Sequence, residues 1–64
     1  MNEIEFSGIS DKVRALTSQR AMTLQNLVSD LKISNDDKAI RAIQWLLDND
    51  QLRYQNGDEL KWMD

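Results

Sequence analysis

The sequence predicts an α+β domain, three helices closed by a C-terminal β-hairpin, on three observations. Leu24, Leu27, Val28 and Leu31 recur at i, i+3, i+4 and i+7, the stripe of an amphipathic helix. Ala39, Ala42, Ile43, Leu46 and Leu47 resume a helical period after only the short connection "LKIS". The period then drops to two. Leu52 and Tyr54 alternate with Arg53 and Gln55, and Leu60 and Trp62 with Glu59 and Lys61, about an Asn56–Gly57 turn.

From the N-terminus, residues 1–8, "MNEIEFSG", alternate Ile4 and Phe6 with Glu3 and Glu5. That spacing reads as an extended arm tucking two side chains onto the core; the alternative is a short strand pairing with a second subunit. Ser10 is a candidate N-cap with Asp11 in the first turn, and Ile9, Val13 and Leu16 follow at helical spacing. The first helix is therefore expected over residues 10–19, ending at "SQRAM", with Ala21–Met22 as a very short strand. Thr23 is expected to cap the second helix, and Lys32 suits the negative end of its dipole. Ile33 is the expected buried residue of the turn, Ser34 the cap of the third helix, and Asn49–Asp50 its end.

Parity decides the hairpin loop. A two-residue Asn56–Gly57 loop would put Leu52 and Leu60 on opposite faces. A three-residue loop, Gln55–Asn56–Gly57, pairs 54 with 58 and 52 with 60, gathering Leu52, Tyr54, Leu60 and Trp62 on one face. It gives Gly57 the left-handed position and sets Arg53 opposite Glu59. Trp62 is then a core residue and Tyr54 a rim residue with its hydroxyl in water.

Sixty-four residues make one domain, near the lower size limit for a self-sufficient core, where oligomerisation often helps. The absence of cysteine removes disulfides and thiolate metal sites, and the absence of histidine removes the commonest zinc ligand and acid/base. There is no long apolar run and no basic leader, so neither a membrane span nor a signal peptide is expected, and a cytoplasmic location is. There is no glycine-rich phosphate loop, Ser7 and Ser10 have no base partner, and "NDD" lacks the spacing of a calcium loop. The acids Asp36, Asp37, Asp48 and Asp50 give no sign of a buried pair, and a domain this small has little room for a pocket of about 300 Å³. The expectation is no enzyme: no catalytic residue, no metal, no cofactor and no small-molecule substrate.

Two helices joined by so short a turn make a helix-turn-helix. With the hairpin following directly, the chain resembles the winged helix-turn-helix superfamily. "TLQNLVSDLKIS" looks like the family's second helix and turn, and "AIRAIQWLLDNDQLRY" like its third helix running into the first wing strand. "AIQWLLDNDQL" is similar to a set of small prokaryotic winged-helix proteins of unassigned function. The resemblance spans residues 10–62, with Lys32 where a glycine often stands in the turn. It implies three helices followed by a C-terminal β-hairpin wing, with the third helix in the major groove and the wing on the DNA backbone. By the same resemblance Asp36, Asp37, Lys38 and Arg41 hold groove-facing positions, Gln44 follows one turn later, and Arg53 and Lys61 are the wing's phosphate contacts.

The residues themselves leave two partners open. Arg41 can bond guanine and Gln44 adenine, with Lys38, Arg53 and Lys61 on phosphate, which describes a small dimeric regulator on double-stranded DNA. Against it, 11 acidic residues outnumber 8 basic ones, and a net charge of −3 weakens attraction to a polyanion. Asp37 lies four residues before Arg41 and can pair with it, while Asp36 and Asp37 have a sufficient role offsetting the helix dipole. Trp45 lies between the core face and this strip, either packed on the first helix or arm, or partly exposed as an anchor for a protein. With Asp37 and Asp48, Trp45 defines the second reading. That reading is an acidic protein-interaction module, of the kind a phage or mobile element could turn on a host factor, that does not bind DNA. The resemblance puts DNA first; the charge balance disfavours it, and a protein partner or a homodimer is the plausible alternative.

Overall fold

The computed structural model describes residues 2–33 and 35–63. In order it comprises α1 (Glu3–Gln19), β1 (Met22–Thr23), α2 (Leu24–Leu31), α3 (Asp36–Asp48), β2 (Leu52–Gln55) and β3 (Glu59–Trp62). This is the α+β, winged-helix-like arrangement of three helices and a C-terminal hairpin. The hairpin is joined by β1 into an antiparallel sheet of order β1-β3-β2.

The N-terminal segment corrects the sequence reading. Residues expected as an extended arm are the first turns of α1, which begins at Glu3, and Ser10 lies inside the helix rather than capping it. Asn2 is the cap. Its side chain accepts from the Glu5 backbone N–H at 2.8 Å, its carbonyl accepts from the Phe6 N–H at 3.0 Å, and Glu3 and Glu5 sit at the positive end of the dipole. The alternation of Ile4 and Phe6 with two glutamates is too short to exclude a helix. The helical stripe of Ile9 and Val13 simply extends back to Phe6, three residues earlier.

The helix-turn-helix follows the expected local chemistry. The Thr23 hydroxyl caps α2, accepting from the Asn26 N–H at 3.2 Å. Lys32 ends α2 at φ 52° and ψ 41°, the left-handed geometry that usually favours glycine. Ile33 packs half-buried against the core rather than fully inside it. The cap expected at Ser34 lies outside the described residues; Asn35 does that work, its side chain accepting from the Asp37 N–H at 3.0 Å. At the other end the Asn49 side chain donates to the Trp45 carbonyl at 2.8 Å.

The hairpin has a three-residue loop, one position later than expected. Leu52 faces Trp62, Tyr54 faces Leu60 and Gln55 faces Glu59, so Asn56, Gly57 and Asp58 form the turn. A shift of two in the pairing leaves the faces unchanged but replaces the expected Arg53–Glu59 pair with Arg53 opposite Lys61. Two features favour this register. Asn56 and Gly57, the residue types most tolerant of positive φ, both take it, at 53° and 98°. The ladder also reaches further, with Trp62 paired and the Met63 N–H donating to the Gln51 carbonyl at 2.9 Å. The very short strand, read at Ala21–Met22, is Met22–Thr23 and pairs with Leu60 and Glu59, making β3 the central strand.

One apolar centre joins every element. Ile9 and Val13 of α1, Met22 of β1, Leu27 and Leu31 of α2, and Ala39, Ala42, Ile43 and Leu46 of α3 are buried with Leu52 and Leu60 of the sheet. Leu47, expected on the same face of α3, and Trp62 are half-buried at the edge of this core. The Arg14 guanidinium lies 5.9 Å from the centroid of the Trp62 ring. Thr17 is the one polar residue buried among the described residues, and its hydroxyl donates to the Val13 carbonyl one turn back at 2.7 Å. Among the described residues no helix is long and apolar enough to cross a membrane.

Candidate interaction face of α1 and α3

The longer α1 changes the surroundings of α3. Its first two turns lie beside the exposed face of that helix. There the Lys38 ammonium donates to the Glu5 carboxylate at 2.7 Å, the only ion pair among the described residues. Hydrogen bonding from Lys38, and then its charge, hold the Glu5 carboxyl below the ordinary glutamate range. Two turns further along α3, Phe6 meets Trp45 edge to face, with ring centroids 4.9 Å apart and planes at 73°. Trp45 remains 46% exposed after that contact, so the ring is both a packed residue and an accessible one.

The five sequence-predicted DNA contacts are not equivalent. Lys38 is committed to Glu5. Lys61 donates to the Ser18 carbonyl at 3.0 Å, placing its cation at the C-terminal end of α1, whose last turn contains no basic residue. It therefore serves a helix end of its own chain. Arg41 and Gln44 on α3 and Arg53 on β2 are exposed. The expected Asp37–Arg41 ion pair is absent among the described residues, although both side chains border one recess of about 160 Å³ together with Asn35 and Lys38. Asp36 and Asp37 occupy the first turn of α3, where acids complement the helix dipole, and Asp48 is exposed at the helix's last residue.

Arg41 and Trp45 come together with residues that the sequence reading had placed in an arm. They border an open groove of about 480 Å³ along with Asn2, Glu3 and Phe6. Glu3 and Arg41 share this groove without forming an ion pair. The groove is widely open to solvent, a surface feature rather than an enclosed pocket. The missed partners were legible in one local signal. Asn2 followed three residues later by Glu5 is the spacing of a helix cap and its third helical residue. Among the described residues no group of three acids is placed to hold a metal ion. No protein-family model, curated protein or solved structure matches the chain.

Proposed function

We propose that this chain is a small acidic protein-interaction module of the winged helix-turn-helix superfamily, acting in the cytoplasm and docking a protein on the α1–α3 face. One observation carries the reading. The first turns of α1 run along the helix that would enter a major groove, bringing Glu3 and Glu5 beside it and taking up Lys38. A helix so flanked presents an aromatic groove and little net positive charge, where DNA binding needs cations free to displace counterions. Trp45, partly exposed and backed by Phe6, has the character of an interface anchor. No reaction or cofactor belongs to this reading, since the chain has neither histidine nor cysteine.

A second reading, the DNA-associated regulator, draws support from Arg41, Gln44 and Arg53, which are exposed and make no ion pair among the described residues. Mobility shift at about 50 mM salt, where backbone attraction is strong, separates the two. The interaction module leaves any duplex unretarded at micromolar protein. It also recovers a partner in pull-down that Trp45→Ala fails to recover. Retarded duplex, with retardation lost in Arg41→Ala, would replace this reading with the regulator.

A further inference from the structure

We propose that the partner seated on the α1–α3 face is a second copy of this chain, related by a twofold axis, with Arg41 of each copy meeting Glu3 of the other. The proposal rests on the reading of this face as a docking surface and names its occupant. In a twofold pair each contact from residue i to residue j recurs from j to i, so one patch must bear both halves of every complementary pair. The groove meets that requirement. It is bordered by one cation, Arg41, and one anion, Glu3, alongside the Phe6 and Trp45 rings. The two charges do not pair within the chain, because the described residues form an ion pair only between Lys38 and Glu5. Each is therefore available to the opposite charge on a copy. Arg41 also carries the planar guanidinium suited to a bidentate carboxylate contact beside an aromatic ring.

Burial favours the same occupant. Trp45 is 46% exposed beside Phe6, and a copy would cover both rings with the same two rings. A chain of 64 residues is short for an independent core, and association is a common remedy at that size. The groove is bordered by five residues, few beside the roughly 20–30 a side of a standard interface, so the pair is expected to be weak and concentration-dependent.

Sedimentation equilibrium of the full chain from micromolar to millimolar concentration tests this. The mass is expected to climb from 7.5 kDa toward twice that value. Glu3→Arg and Arg41→Glu should each stay at monomer mass where the wild type is half associated, since each bears one sign at both positions. Mixed in equal amounts, the two variants should associate, because every contact then joins opposite charges. Circular dichroism of each variant confirms retained helix, and rescue by mixing cannot come from a purely intramolecular role. Wild type that remains at monomer mass at millimolar concentration overturns the second copy as partner. The docking face is judged separately, by whether Trp45→Ala alters recovery of another protein. A dimer unchanged in both single variants overturns this pairing, and one also unchanged in Trp45→Ala removes the face from self-association altogether.

Discussion

Lys38, in the first turn of α3, donates to the Glu5 carboxylate in the first turn of α1 at 2.7 Å, although the two residues are 33 positions apart. A cation that the sequence offers to DNA is thereby matched within the chain. The contact joins the N-terminal ends of two helices, each of which gains from nearby negative charge.

The Glu5–Lys38 pair has a pH signature. Lys38 lowers the folded-state pKa of Glu5, so the stabilisation is present above the unfolded pKa and is lost as pH falls through the folded one. The unfolding midpoint of the wild type is expected to converge on that of Glu5→Gln as the solution is acidified. Both side chains are substantially exposed, so added salt should shrink the difference. An NMR titration of the Glu5 carboxyl checks the cause directly: its midpoint should rise in Lys38→Met. Identical midpoints in the two proteins would remove Lys38 as the source.

Lys61 is expected to act on stability. Its ammonium on the Ser18 carbonyl brings a cation to the last turn of α1, which has no basic residue of its own. Lys61→Met should cost about 0.3–1 kcal/mol in urea unfolding, the usual scale of a charge at a helix end. It should leave low-salt mobility shifts unchanged. A variant as stable as wild type would show that the contact contributes nothing.

The left-handed turn at Lys32 is a site for improvement. At φ 52° a residue with a β-carbon is strained where glycine is not. Lys32→Gly should therefore stabilise the domain by up to about 1 kcal/mol, the strain relieved exceeding the added freedom of the unfolded chain. For a domain of this size that corresponds to roughly 4–8 °C in Tm. A lowered Tm would mean that the entropy of the glycine wins.

The buried Thr17 separates hydrogen bonding from packing. Its hydroxyl donates to the Val13 carbonyl, so Thr17→Val removes a donor and leaves the site filled. That change should move stability by no more than about 1 kcal/mol in either direction. Leu46→Ala, at a fully buried position of α3, should cost about 2–5 kcal/mol by leaving a cavity. Chemical denaturation of the two variants checks the contrast; equal losses would place the importance of Thr17 in its hydroxyl.

Half of the candidate face is legible in the sequence. Arg41 and Gln44 fall on the outward strip of α3 and Trp45 on its flank by angular spacing alone, and in the structure all three are exposed. Phe6, Glu3 and Glu5 were missed because four alternating residues fit a strand and a helix equally well, and the cap at Asn2 was read as arm. The engagement of Lys38 and Lys61 was beyond reach, since each meets α1 across more than 30 positions of sequence. The hairpin register slipped by two for a related reason. Hydrophobic parity selects a face but cannot distinguish pairings that differ by an even number.

What short-range chemistry controls is legible along the chain. The stripes of α2 and α3, the Thr23 cap, the positive φ at Gly57 and the common face of Leu52, Tyr54, Leu60 and Trp62 depend on neighbours a few residues away. Which cations are left without a partner, and what stands beside α3, is set by packing across the fold. Those outcomes depend on where α1 lies in space, and a side chain's partner across the fold leaves no period in the chain.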